Sequence, residues 1–538
     1  MERDGDGGDD ELDDEEDETE SDEFLNLTEE LLRRFERNDP SLTSLTVQSE
    51  GWILGAGIVF AQCKFLKSLH IVLSSDIRWF AELCTGIINN KTIEDLLLVF
   101  DLGGGGGGAD TLRLLAPFLQ NNLNLRSLQI INNHDGPMDT KLGSLTSIFK
   151  GRKSGLLKKM CISWNSASDD EAAALVESLG GQHNLRHLCF STDIIEKMAC
   201  KSLGYFMERP DCKVHTLDLC GIISADCFYI LCYALTKNST LQHLYLSDIK
   251  PFSVSNCISL SMIFSRPFTT LKELQIGGND LGDEGISILG YALSLNTTLQ
   301  HLDLNNSRSI TKKGWQAFST CLRNPESALE KLILWGCRIG DQGLAAFTTA
   351  LRGNSNLSML DLDHNGFESE EAFALIHVLL DSTFLAVLCI DSIGFDNINE
   401  EEWCYLSRAL CDKTSIHSTF SSNHTFHTWE VLESMDSHGS PHENVFNEVC
   451  TMMGMNGFPN KTAVARRKIL DNHFLHGNTG FHALACMHET VLPNAIEWMG
   501  RDELGYSPMF EFVRGFPTVF DVNSSGVHYD SPKKRKLA

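Results

Sequence analysis

The sequence predicts an α/β solenoid, a right-handed coil with short parallel strands on its inner side and helices on its outer side. Three observations carry that expectation. An LxxLxL pattern recurs thirteen times from Leu42 to Leu385, 343 residues in twelve steps of about 28.6. Each copy has two halves of different period: apolar and polar residues alternate across LxxLxL, as in a strand with one buried face, then apolar residues recur at helical spacing. Finally, 42% of the 538 residues are hydrophobic, enough for a large core.

The elements follow in chain order. Residues 1–23 hold fifteen Asp or Glu against one Arg, half of the net charge of −28, and read as a disordered acidic tail. Residues 24–40 read as a capping segment, in which Thr28 and two following Glu open a helix carrying Leu31, Leu32 and Phe35 toward the first repeat. The solenoid itself spans 41–428, about 13–14 repeats. Its helical halves are seen in Gly285–Leu293 and Gly343–Leu351, with Asn296 and Asn354 where each helix must stop. Asn133, Asn165, Asn279 and Asn365 fall three residues past the strand motif, where an amide side chain can satisfy turn backbone groups. The six glycines Gly103–Gly108 read as a flexible insertion, because no Lys-Ser or Lys-Thr follows to complete a phosphate-binding loop.

The repeat weakens after Ile390, with a degenerate copy expected over Ile416–Asn423. Residues 429–522 read as a mainly helical carboxy-terminal cap, with a helix at Thr462–His473 and an aromatic cluster from Trp498 to Phe520. The cap contains His473, His476, His482, Cys486 and His488, but their spacing matches neither HExxH nor paired CxxC, so no metal and no other cofactor is expected. Residues 523–538 read as a disordered basic tail.

Charge and cysteine usage narrow the setting. A chain with 72 acidic against 44 basic residues is repelled by phosphate backbones and anionic membranes, which disfavours nucleic acid and lipid as partners. The amino terminus lacks a basic-then-apolar signal pattern, and the longest apolar run, Trp52–Ala61, falls short of the roughly 20 residues of a membrane helix. Seventeen cysteines without a CxxC pair suit buried thiols in a reducing compartment. An intracellular protein is expected. Lys533, Lys534, Arg535 and Lys536 behind Pro532 resemble a single-cluster nuclear-import signal, which implies an importin-type receptor and the nucleus rather than the cytoplasm.

The repeat length, the outer helix and the Asn or Cys after the strand (Cys337 in one copy) resemble the ribonuclease-inhibitor-like leucine-rich-repeat family, over roughly Leu42–Ile390, about two thirds of the chain. The resemblance implies the horseshoe solenoid and no particular activity. Asn38–Leu42 and Leu492–Asp521 also resemble repeat proteins of algae, which implies lineage alone.

In such a solenoid, function lies on the strand positions lining the inside curve. Early copies place His70, Leu97, Gln129 and Cys161 there, beside Val72, Val99 and Ile131; later copies place Asp218, Tyr245, Asp248 and Ile333 there. The expected partner site comprises Trp164, Tyr245 and Trp335 as exposed aromatic anchors, with Asp303, Asp361, Asp363 and Asp391 supplying a negative field for a basic protein. No G-x-S-x-G elbow or other catalytic motif occurs, so the expectation is a non-catalytic interaction scaffold. The alternative is a GTPase activator, since repeats of this length with an acidic segment resemble the Ran GTPase-activating proteins. In those the acidic stretch follows the repeats, whereas here it precedes them, and no matching catalytic Arg is placed.

Overall fold

A computed structural model describes residues 29–48, 56–73, 78–100, 108–132, 142–152, 155–164, 167–247, 249–265, 269–352, 354–367, 369–380, 384–390, 399–429 and 443–475. The chain forms two compact units, Met1–Leu185 and Arg186–Ala538, and both repeat one strand–turn–helix coil.

In the first unit the strands are β1 (Ser44–Gln48), β2 (Ser68–Leu73), β3 (Asp95–Phe100), β4 (Ser127–Asn132) and β5 (Lys159–Trp164). They pair in parallel in chain order, with Leu69 beside Leu96, Leu96 beside Leu128, and Leu128 beside Met160. Helices α1 (Glu29–Glu36), α2 (Ala56–Gln62), α3 (Arg78–Ile87), α4 (Gly108–Asn121), α5 (Gly143–Gly151) and α6 (Asp169–Ser178) alternate with them. Parallel pairing demands a crossover between neighbours, and the outer helix is that crossover. Alternation is strict in β2 and β5: Leu69, Ile71 and Leu73 are buried in the one, and Met160, Ile162 and Trp164 in the other. Burying one such aliphatic side chain contributes about 1.5–3 kcal/mol relative to leaving it exposed. Helix α1 buries Leu31 and Phe35, the latter with its ring centroid 4.8 Å from that of Phe60 in α2.

The second unit contains β6 (His187–Ile195), β7 (Thr216–Ile223), β8 (His243–Tyr245), β9 (Glu273–Gln275), β10 (His301–Asp303), β11 (Lys331–Ile333), β12 (Met359–Asp361), β13 (Val387–Cys389) and β14 (Thr428–Trp429), again parallel in chain order. Its helices are α7 (Lys197–Glu208), α8 (Ala225–Leu235), α9 (Val254–Phe264), α10 (Gly282–Leu293), α11 (Lys312–Ser319), α12 (Gly340–Leu351), α13 (Ser369–Leu380) and α14 (Glu400–Leu410). Then come α15 (Ile416–Ser421), α16 (Glu443–Asn456) and α17 (Lys461–Leu470). Where a degenerate copy of the motif is expected over Ile416–Asn423, Ile416–Ser421 is instead helical. Its serines cap and bond locally, Ser415 accepting from the Ser418 amide, and the strand falls later, at Thr428.

Two ladders of side-chain amides stitch successive coils. Asn279 donates to the carbonyls of Leu246 and Ile276 at 2.7 and 2.8 Å, and Asn365 donates to those of Leu334 and Leu362 at 2.8 Å each. Cys337 takes the same place with its thiol 3.1 Å from the Leu304 carbonyl. A second ladder runs below the helices, where Asn90, Asn122, Asn238, Asn354 and Asn423 each accept an amide of their own turn and donate to a carbonyl of the preceding coil. Buried turns leave backbone groups that need partners, and these asparagines supply them. Asn133 and Asn165 lie outside the described residues.

Past α14 the packing is closed by an unusual cation. Lys468 is fully buried, and its ammonium donates to the carbonyls of Leu410 at 2.7 Å and Asn423 at 3.4 Å. Burial pulls its pKa down to about 8. Among the described residues no helix is long and apolar enough to cross a membrane. Most of the described cysteines are buried, and burial pushes the Cys321 and Cys337 thiols up to about 12, which leaves them protonated and unreactive.

Candidate functional site

The strands of the second unit present their outward residues in register. A first column reads His187, Thr216, His243, Glu273, His301, Lys331 and Met359; a second reads Cys189, Asp218, Tyr245, Gln275, Asp303, Ile333 and Asp361, and ends in register at Cys389, which is buried. Beyond the strands, backbone bonds from Gly278 to the Asn305 carbonyl, from Asn306 to that of Trp335, and from Gly336 to that of Asp363 bring Asn305, Trp335 and Asp363 side by side. Register thus gathers Tyr245, Asp303, Trp335, Asp361 and Asp363 on one surface, all of them half-buried.

Local hydrogen bonds aim the carboxylates. The Asn305 amide donates to Asp303 Oδ1 at 2.8 Å, and the Asp363 amide donates to Asp361 Oδ1 at 3.1 Å. An Asp that accepts the amide two residues on is held in one rotamer, so it meets a ligand without further ordering. Burial, reinforced by Glu273, raises Asp303 above the usual carboxylate range, while the Asn305 amide and Lys331 work against that. Burial, with Glu273 and Asp218 nearby, pushes the Tyr245 hydroxyl up to about 12. Both shifts report a partly desolvated, negative surface. Trp335 lies against His364, with ring centroids 5.1 Å apart, and His364 itself is held at φ 57°, a left-handed conformation uncommon for a residue with a side chain.

Two residues of this surface, His243 and Glu273, lie outside the site expected from the sequence. His243 Nδ1 donates to Glu273 Oε2 at 2.8 Å, and Gln275 donates to the other oxygen at 2.9 Å. Burial acts to raise Glu273, but these bonds and the neighbouring histidines bring its carboxyl below the usual range. Both residues occupy the third position of LxxLxL in successive copies, and a scan restricted to the fifth position and those after the motif passes over them.

One expected anchor is misplaced. Trp164 is only 2% exposed and points into the core, edge-on to Phe100 with centroids 5.6 Å apart. It continues the inward series of Met160 and Ile162, because β5 keeps its strand geometry for two residues past the motif. Asp248, Asp391 and Lys533, Lys534, Arg535 and Lys536 lie outside the described residues. Of the cap histidines, His473 is buried with Nε2 2.7 Å from Thr419 Oγ1, a structural contact; His476, His482 and His488 lie outside the described residues with Cys486. Asp361, Asp363 and Cys389 each bring a ligand atom within 4.8 Å of the others, one short of the four that a structural zinc site takes.

Chemically, this surface offers oriented carboxylates between aromatic rings, bordered by a histidine and lysine column. That suits ammonium or guanidinium groups carried on a polypeptide.

A family model described as Leucine Rich repeat matches residues 269–290 and 295–319. Mouse NACHT, LRR and PYD domains-containing protein 14 is 29% identical over 243 residues, which is 44% of this chain and 23% of that protein. Mouse ribonuclease inhibitor is 28% identical over 163 residues, 30% of this chain and 35% of the inhibitor. A solved chain from the Rad7 and Elc1 complex in yeast, 21% identical, matches over 57% of this chain and 78% of its own at a TM-score of 0.34. The chain spans about a quarter to a third of the length of these curated relatives.

Proposed function

We propose that this chain, a leucine-rich-repeat protein of the ribonuclease-inhibitor-like family, is a non-catalytic interaction scaffold whose inner strand face in the second unit holds a basic protein. The observation that carries the reading is the second column of that face. From Asp218 to Asp361 it runs in register with three aspartates and one tyrosine, and no lysine or arginine interrupts it. Trp335 and Asp363 extend the same surface. Such a field steers a cationic partner and fixes its register, and the half-buried aromatics supply contact area at low entropic cost. A relative named for inhibiting an enzyme accords with a face that engages another protein.

The test is affinity capture with the full chain, comparing wild type with a Tyr245→Ala/Asp303→Asn/Asp361→Asn variant. Loss of a retained basic protein in the variant, and weakening of wild-type capture as salt rises, are the expected results. Retention unaffected by the triple change would place binding elsewhere. The same proposal sends the chain to the nucleus through Lys533, Lys534, Arg535 and Lys536, which a fluorescent fusion carrying Lys534→Ala/Arg535→Ala checks directly.

A further inference from the structure

We propose that the inner face of the second unit ends in an anchor pocket for one large apolar side chain, carried by the basic protein segment that the aspartates attract; this rests on the functional reading above. A notch of about 450 Å³ opens where β7, β8 and β9 give way to their turns. Ile249 and Phe252 line it and are buried, while Pro251 and Ile222 line its open side. Ile222 is 47% exposed. The volume falls in the range of pockets that take a ligand group.

The notch lies at the end of the strand that carries Asp218. In β7, Leu217 and Leu219 are buried and Asp218 between them is not; Gly221, at φ 134°, then breaks the alternation, and Ile222 follows exposed. Asp218 and Ile222 are four residues apart in the chain, a span of at most about 13 Å. An extended peptide with a basic residue over Asp218 places a side chain over Ile222 some four residues on. The notch is also lined by Lys250 and Asp280, whose opposite charges cancel locally. The pocket thus selects for apolar character, and the aspartates beyond it select for charge. A small apolar ligand would use the notch and leave the aspartates idle; a peptide uses both.

The experiment titrates the full chain with two fluorescein-labelled synthetic peptides, Lys-Arg-Lys-Lys-Leu and Lys-Arg-Lys-Lys-Ser, followed by anisotropy. The leucine peptide is expected to bind on the order of tenfold tighter, the effect of burying most of one aliphatic side chain. Ile222→Ser, at an exposed position, should abolish that preference while leaving the serine peptide's affinity and the circular dichroism unchanged. Asp218→Asn/Asp303→Asn should weaken both peptides. Equal wild-type affinities, with both peptides still weakened by the aspartate changes, would overturn the pocket and leave the basic-partner reading standing. Binding of neither peptide, with or without residues 531–538, would remove that reading and the pocket together. A leucine preference that emerges only after deletion of 531–538 would mean that the chain's own Lys533–Leu537 fills the notch, which overturns the external segment.

Discussion

In the first unit, strands β2 to β5 run six residues and keep alternating past the last motif position, whereas in the second unit β8 to β13 stop after three. The consequence is sharpest at the eighth position of the repeat. Leu73, Phe100, Asn132 and Trp164 occupy it in the first unit and are all buried. In the second unit Gly278, Asn306, Gly336 and His364 occupy it with φ of 72°, 54°, 66° and 57°. One repeat position is thus a buried side chain in the first unit and at Thr192 of the second, and a left-handed turn in the copies from β9 to β12. Turn chemistry, and not the leucine pattern, sets which way the following residues point. Composition of the outward face follows the same divide. Val72, Leu97, Val99 and Ile131 make that of the first unit largely apolar, and the second unit carries the aspartates.

Substitutions at the two tryptophans probe this contrast most strongly. Trp164→Ala should cost about 3–5 kcal/mol in urea unfolding, because it empties a buried site against Phe100. Trp335→Ala should cost less than about 1 kcal/mol, because its ring is half-solvated. Equal effects would erase the distinction between the units.

Next in size is Asn365→Ala, expected to cost about 2 kcal/mol by orphaning the buried carbonyls of Leu334 and Leu362. Hydrogen exchange should quicken at the turns after β11 and β12 and stay unchanged in the first unit. A uniform change across both units would argue against a local ladder.

Acid should affect the second unit through its carboxy-terminal histidines. Burial, with Lys468 and Lys461 nearby, holds His424 down to about 4, and burial shifts His427 and His473 the same way. As pH falls below the ordinary 6.5, the unfolded chain binds a proton that the folded chain refuses, so stability is lost between about 6.5 and 4. Thermal melts should fall by a few degrees from pH 7 to pH 5. His424→Gln, which can keep a donor to the Phe420 carbonyl, should flatten part of that slope. An unaltered slope would clear His424 of the effect.

Smallest of all is Asp303→Asn, expected to change stability by no more than about 0.5 kcal/mol while weakening capture of a basic partner. A larger loss of stability would make Asp303 a structural residue.

The sequence carried the coil because LxxLxL and helical spacing are direct consequences of which face is buried. The asparagine positions were equally legible, since a repeated buried turn has repeated backbone needs, and Asn279 and Asn365 meet them as expected. Helix starts were less so: α10 and α12 begin three residues before the expected Gly285 and Gly343, where Gly282 and Gly340 enter at φ 61°. At the site, register grouped Tyr245, Asp303, Trp335, Asp361 and Asp363 as the repeat implied. The Trp164 expectation fails because β5 runs six residues, where the strands from β8 to β13 stop after three. The His243–Glu273 contact joins residues 30 apart in sequence, and only the pairing of β8 with β9 reveals it.

The lower asparagine ladder has a direction. Asn90 reaches back to Cys63, Asn122 to Ile93, Asn238 to Met207, Asn354 to Leu322 and Asn423 to Leu380, always toward residues already made. A nascent chain leaving the ribosome can therefore close each clasp as soon as its asparagine emerges, without waiting for anything downstream. Shortening the gene from its 3′ end leaves only an acceptor carbonyl at the new boundary, which water can serve. Shortening it from the 5′ end strands a donor amide that was built to hold a missing coil.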